Sequence, residues 1–277
     1  MTVSEQRQAL ISILNRGAVT SLFQPIVSTL EERIVGFEAL SRGPSDSPLH
    51  SPVTLFAAAR HHGILTELEM LCRDRAVSRF CDLNLPGKLF LNVSPESLLE
   101  HQHYPGRTLE ILQRNGLKPD QVVIELTEQA PIEDLSLLRS ALHHYRDMGF
   151  SIALDDLGAG YSSLRLWSEL QPEFVKIDRH FIDGIHRDPV KREFVASILH
   201  MAKASRACVI AEGIEQPEEL AVLEDIGIDW VQGYLLGRPD SHPRVDEIQL
   251  GERIGQSPSS VVDDAPIHSL LLPIPGV

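Results

Sequence analysis

No stretch of the chain approaches the roughly 18 to 20 consecutive apolar residues that a membrane-spanning helix needs, so a membrane partner is not expected. The opening segment, Met1 to Gln8, lacks both the basic start and the apolar stretch of a secretory signal, which leads to the expectation of a cytoplasmic protein. Cysteine is scarce: Cys72, Cys81 and Cys208 fit neither a zinc pattern nor a disulfide framework and read as reduced, buried thiols. Positive charge is also short, with 25 Lys and Arg against 39 Asp and Glu and a formal net charge of -14. Affinity for a nucleic-acid polymer rests on clustered Lys and Arg, so DNA and RNA are not expected partners. A small phosphate ligand stays compatible if metal ions supply the positive charge locally. At 43% hydrophobic and 23% charged residues, the composition is that of an ordinary globular chain, which excludes the disordered and fibrous classes.

What is present is a rhythm. Short aliphatic and β-branched runs bounded by turn residues give eight strand candidates: Leu22 to Val27, Val35 to Leu40, Leu89 to Ser94, Val122 to Thr127, Ser151 to Asp156, Phe174 to Asp178, Cys208 to Gly213 and Trp230 to Leu235. Most are continuous apolar runs, as strands buried on both faces require. Helix-period segments fill most of the gaps; Pro131 to Met148 repeats Leu135, Leu138, Leu142 and Tyr145 on one face and meets Gly149 where a helix ends. This alternation predicts a parallel sheet with crossovers. One connection breaks the pattern: Ser28 to Ile34 is shorter than the dozen or so residues a parallel crossover needs, so the first two strands form a hairpin. The expected fold is therefore α/β, a modified TIM (β/α)8 barrel with its first strand antiparallel to the rest. The expected division is residues 1–20, with a helix over Ser4 to Arg16 packing on the barrel floor or side, then the barrel at 21–240. Residues 241–277 read as an extension or linker rich in Pro, Ser and Asp.

Seven successive strands end in a polar residue able to do chemistry: Glu38, Asn92, Glu125, the pair Asp155 and Asp156, Lys176, Glu212 and Gln232. Taken singly, a strand-end carboxylate is most often a helix cap or half of an exposed ion pair. In a (β/α)8 barrel, however, the carboxyl ends of the strands converge on one mouth. Several carboxylates gathered there repel one another unless cations sit among them. Oxygen ligands with one Asn carbonyl, and neither sulfur nor imidazole, select Mg²⁺ or Mn²⁺, and adjacent acids at 155 and 156 suit a pair of ions. Lys176 either offsets the acids in a salt bridge or orients an attacking water and neutralises charge in the transition state. The Gly-rich segment Asp156 to Leu164 is a weak signal alone and reads as a loop bordering the metals. The pairs His61/His62 and His143/His144 lie in helical stretches, where neighbours diverge by about 100°, and read as surface histidines. Ser162 and Ser163 have no His and acid placed as a relay, so a serine nucleophile is rejected.

These residues fall into motifs that resemble the EAL domain family, cyclic di-GMP phosphodiesterases of bacterial signalling. In order they are FQPIV at Phe23 to Val27, EAL at Glu38 to Leu40 followed by Arg42, LNVSP at Leu91 to Pro95 and ELTE at Glu125 to Glu128. DDLGAGYSSL follows from Asp155, then VKID at Val175 to Asp178, AEGIE at Ala211 to Glu215 and QGYLLGRP at Gln232 to Pro239. The resemblance implies hydrolysis of cyclic di-GMP to linear pGpG with two divalent ions. It implies metal binding at the positions of Glu38, Asn92, Glu125, Asp155 and Asp156, with Glu212 supporting the centre. It further implies Lys176 positioning the water, Glu128 anchoring the loop after the paired acids, and Gln24, Leu40 and Arg42 lining the substrate side. Glu215 and Gln232 belong to the same motifs, and the implied assembly is a homodimer made through helices near that loop. Two departures stand out: Leu157 where many members have phenylalanine, and EALSRGP in place of the commoner EALLRW. The readings that compete are a cyclic di-GMP receptor without turnover, and a different metal-dependent barrel enzyme with Lys176 as base.

Overall fold

Apolar runs separated by amphipathic segments give eight strands that close into one barrel in chain order. The computed structural model describes residues 2–99, 105–126, 135–158 and 163–245. The strands are β1 (Thr20–Ser28), β2 (Arg33–Arg42), β3 (Lys88–Val93), β4 (Val122–Leu126), β5 (Ser151–Leu157), β6 (Phe174–Ile177), β7 (Cys208–Ala211) and β8 (Trp230–Val231). β1 runs antiparallel to both neighbours, β2 and β8, and every other pairing is parallel. The predicted fold is the observed one. The helices are α1 (Val3–Arg16), α2 (Pro52–His61), α3 (Leu65–Asp82), α4 (Pro95–Leu99) and α5 (Pro105–Asn115), then α6 (Leu135–Asp147), α7 (Ser163–Leu170), α8 (Arg179–Ile182), α9 (Pro189–Ser205) and α10 (Pro217–Ile226). Among the described residues no helix is long and apolar enough to cross a membrane.

Burial separates the core into three parts. The largest cluster lies between strands and helices, with Phe37, Leu89, Leu91, Ile124, Leu154 and Ile177 among its members. A second joins Leu10 and Ile13 of α1 to Leu55 and Leu68 of α2 and α3, so α1 packs on that helical layer. The third gathers Ile26, Val35, Phe90, Val123, Ala153, Phe174 and Ile210. Side chains two residues apart on a strand share a face. Phe90, Val123, Ala153, Phe174 and Ile210 each precede a predicted site residue by two, so this cluster is the apolar floor on which the site stands. Burying a ring such as Phe90 contributes about 1.5–3 kcal/mol. Gly36, two before Glu38, leaves room for it: a Cβ there would come within 2.9 Å of the Phe90 ring and 2.7 Å of the Lys88 carbonyl.

The last strand is shorter than expected. Tyr234 and Leu235 extend its apolar run, yet the chain turns after Val231, with Leu236 and Gly237 N–H both donating to the Gly233 carbonyl at 3.0 Å. Gly233 lies against the Ile214 backbone, where a Cβ would meet the carbonyl oxygen at 2.2 Å, so packing rather than pleat directs this segment. The β1–β8 seam consequently holds only Val27↔Val231 and Ser28↔Trp230. Pro25, which has no N–H to offer, sits above those two pairs, where β8 has already ended. Asp178 and Ser94 leave the expected strands to cap helices, accepting from His180 N–H at 2.8 Å and Ser97 N–H at 3.2 Å. Gly213 also falls outside its strand, with φ +73°. Thr127, residues 131–134 of the expected helix and the chain from 246 onward lie outside the described residues.

Candidate functional site at the barrel mouth

Lys176 on β6 is fully buried, and its ammonium is the centre of the mouth. Nζ lies 2.6 Å from Glu212, 2.9 Å from Glu125, 3.1 Å from Asp155 and 3.3 Å from Glu38, so four strands deliver a carboxylate to one point. Asn92, paired in register with Glu125, donates Nδ2 to Glu38 Oε1 at 3.0 Å. Burial pulls the Lys176 pKa down, but Asp155, Glu125, Glu212 and Glu38 outweigh it and hold the group well above the usual lysine range. With no cation bound, a lysine so held carries its proton at neutral pH, which counts against the reading that made it a base. Burial pushes the Glu125 carboxyl well above the ordinary range; Lys176 opposes the shift while Glu38 and Asp155 add to it. One cation therefore faces four acids.

Strict alternation would turn Asp156 away from Asp155, and a bulge prevents this. The β5–β6 register shifts between Leu154 and Leu157, and Asp156 takes φ +54°, a left-handed conformation that costs a non-glycine residue about 1–3 kcal/mol. Leu154 and Leu157 both join the outer core, and the two acids between them face the mouth. Ligand oxygens of Asp155, Asp156 and Glu212 lie within 4.8 Å of one another. Leu157 itself is buried in that core beside the site.

The reversed direction of β1 explains how a residue near its start reaches the site. Gln24 pairs with Glu38, and Gln232 donates Nε2 to Glu38 Oε2 at 2.7 Å and to Gln24 Oε1 at 3.2 Å. Gln24 Nε2 in turn donates to the Gly237 carbonyl at 3.1 Å. Leu40 and Arg42 continue the Glu38 face of β2 beyond its last pair with β3, which makes them half-buried residues of the rim. Glu215 stands apart, paired with Arg179 at 3.0 Å. Glu128 and Ser162 lie outside the described residues.

The donor set fits hard divalent cations. It is carboxylate with one side-chain amide, and Glu125 Oε2 and Gln232 Oε1 are buried oxygens with no hydrogen-bond partner among the described residues. The surface reading of the histidines holds for His61, His143 and His144, which are exposed, and His62 faces Gln6 at 3.1 Å. The cysteines are free; Cys72 is buried, while Cys81 and Cys208 are half-buried rather than fully enclosed. Burial pushes the Cys72 and Cys208 thiols up to about 12, which leaves them inert.

Two further acids escaped the sequence reading. Glu69 on α3 is buried and accepts from Ser94 N–H at 3.2 Å, beside Arg73. Glu219 on α10 is buried and accepts backbone N–H from Gly184, Glu215 and Gln216 at 2.9, 3.0 and 3.1 Å, tying together the segments after β6 and β7. Their one available signal was a charged residue on the apolar face of a helix pattern.

A family model for the EAL domain matches residues 4–239. The chain belongs to the EAL domain family. Over 219 residues, 78% of this chain, the EAL chain is 28% identical to a protein of Escherichia coli K12 named cyclic di-GMP phosphodiesterase PdeF, and the match covers 29% of that protein. It is 29% identical over 217 residues, again 78% of the chain, to the blue light- and temperature-regulated antirepressor BluF of the same organism, covering 53% of it. The EAL chain thus spans about a quarter to a half of the length of these curated relatives. Among solved structures, the calcium and cyclic di-GMP complex of Klebsiella pneumoniae BlrP1 superimposes with a TM-score of 0.75 at 34% identity, covering 80% of this chain and 56% of that one. A manganese and cyclic di-GMP complex of BlrP1 matches with the same TM-score.

Proposed function

We propose that this EAL domain hydrolyses cyclic di-GMP to linear 5′-pGpG with two divalent cations, Mg²⁺ or Mn²⁺, held at the barrel mouth. The observation that carries the reading is the surplus of acid around Lys176: Glu38, Glu125, Asp155 and Glu212 share one ammonium, and Asp156 adds a fifth carboxylate beside them. In a low-dielectric site such a surplus requires outside positive charge. Glu38, Asn92, Glu125 and Asp155 would hold one ion, and Asp156 would bind the second, with Glu212 supporting the centre. The names of PdeF and BlrP1's bound ligands supply the substrate class.

Bound there, the cations would supply Lewis acidity toward a phosphoryl oxygen and acidify coordinated water. The protein's own residues do the rest. Lys176 holds its proton, orients the attacking water and faces the charge that develops on phosphorus. The water gives up a proton to solvent and its oxygen bonds to phosphorus as the bond to the ribose 3′ oxygen breaks; the leaving oxygen takes up a proton from solvent, and the product is the linear dinucleotide with a 5′ phosphate. Gln232, itself held by Gln24 Oε1, donates to the second oxygen of Glu38 and orients it without substrate. Leu40 and Arg42 on the rim meet the nucleotide. A homodimer completes the reading, and Val190 and Phe194, four residues apart on α9, are exposed apolar side chains that it would cover.

The test is incubation with cyclic di-GMP and Mn²⁺ or Mg²⁺, following pGpG by chromatography beside a metal-free sample and Glu38→Ala. Product in the parent with metal and in neither control supports the enzyme. Tight binding without product makes the protein a receptor, the reading that kinship with an antirepressor favours.

A further inference from the structure

The proposed chemistry makes no use of the ionic pair buried behind β3. Glu69 and Arg73, one turn apart on α3, are 5% and 2% exposed. Their carboxylate and guanidinium approach only to 3.9 Å. The Glu69 carboxylate is spent instead on backbone: Oε1 and Oε2 accept from Ser94 N–H at 3.2 and 3.4 Å. Arg73 Nη1 reaches the other way, to Thr108 Oγ1 on α5 at 3.0 Å and Tyr145 Oη on α6 at 3.4 Å. Burial pushes the Glu69 carboxyl above its ordinary range, opposed by Arg73 and by hydrogen bonds from Ser94 and Ser97. A buried ion pair is seldom more stabilising than apolar residues of the same volume, so the pair's contribution lies in what it orients.

What it orients is the peptide joining Val93 to Ser94. That peptide lies one residue beyond Asn92, and Asn92 Nδ2 donates to Glu38 Oε1 at 3.0 Å in the mouth. The same Ser94 starts α4, its Oγ accepting from Ser97 N–H and donating to Ser97 Oγ at 3.1 Å. The backbone just past Asn92 is thereby clamped from outside the barrel by α3, which is itself tied through Arg73 to α5 and α6. We infer that Glu69 is a positioning residue: by holding the Ser94 N–H it fixes the end of β3 and aims the Asn92 side chain at Glu38. Its effect on metal binding and rate rests on the phosphodiesterase reading; its effect on Asn92 does not.

The test pairs hydrogen exchange and NMR with metal titration. Glu69→Leu combined with Arg73→Met removes both buried charges together, so the fold is retained while Ser94 N–H loses its acceptor. The Ser94 amide is expected to exchange at least ten-fold faster, and the Asn92 side-chain amide signal to shift. Glu69→Gln keeps one carbonyl acceptor and is expected to raise that exchange only two- to five-fold, a second readout should the double variant fold poorly. Mn²⁺ affinity, read by electron paramagnetic resonance, is expected to fall about ten-fold in the double variant, as for other residues that orient a ligand. In an Asn92→Ala background the same change is expected to cost less than two-fold, because both act through one side chain. Unchanged Ser94 exchange and an unmoved Asn92 signal overturn the inference, as does a ten-fold loss that persists on top of Asn92→Ala. A parent that neither binds Mn²⁺ nor yields pGpG overturns the proposed function alone, since the exchange and Asn92 signals still decide the role of Glu69.

Discussion

Among the described residues, two clusters that bring buried acid and base together, one inside the barrel wall and one outside, are built on opposite principles. Outside, Glu69 and Arg73 match acid to base, and Ser94, Thr108 and Tyr145 supply hydrogen bonds. Inside, Lys176 faces Glu38, Glu125, Asp155 and Glu212. The outer group is balanced in charge within the folded chain, while the inner one is balanced only when charge arrives from solution. Burial alone thus does not mark a site; an unmatched sum of charge does.

The contrast can be broken by substitution. Lys176→Met is expected to have the largest effect, lowering the rate of pGpG formation by about 10²–10³-fold; a loss below ten-fold would mean that the ammonium merely offsets acid. Arg73→Leu alone strands the Glu69 carboxylate, and chemical denaturation should show a loss of about 3–5 kcal/mol. Saturating Mn²⁺, at a hundred-fold excess over its dissociation constant, should stabilise the parent by about 2.7 kcal/mol for each ion bound, seen as a raised melting temperature. It should leave a combined Asp155→Asn and Asp156→Asn variant unmoved.

The smallest effect has the opposite sign. Burial raises the Glu125 carboxyl above its unfolded value of about 4.3, so the folded state gains from the proton at low pH. That gain is lost as pH rises from about 4 through the folded value. Metal-free parent should therefore soften across this range, whereas Glu125→Gln should not. At pH 7.5 without metal, the variant should melt at least about 2 °C higher, the size of a 1 kcal/mol change in a chain of this length. A lower melting temperature would show that the mouth is not short of positive charge.

Much of this was legible in the chain because it follows from spacing. A connection too short for a crossover forces the β1–β2 hairpin, and polar residues at successive strand ends must meet once the barrel closes. What escaped depends on contacts that spacing does not encode. The bulge that turns Asp156 beside Asp155 is invisible in a run reading Leu-Asp-Asp-Leu, where alternation sends the second acid outward. Glu69 and Arg73, four residues apart on a helix, look like an exposed pair. Beyond Val231, Tyr234 and Leu235 continue an apolar run, and only the close approach of Gly233 to Ile214 ends the strand.

Reversal of β1 has a consequence for how the barrel is wired to anything attached to it. Where all strands run parallel, the chain enters at the floor, remote from the reacting groups. Here it enters at Thr20, opposite Arg42, and leaves by Asp240, which exchanges backbone hydrogen bonds with Phe23, the neighbour of Gln24. Entrance and exit thus share the hairpin that carries Glu38, so a pull or twist applied at Thr20 or Asp240 bears directly on the wall of the mouth.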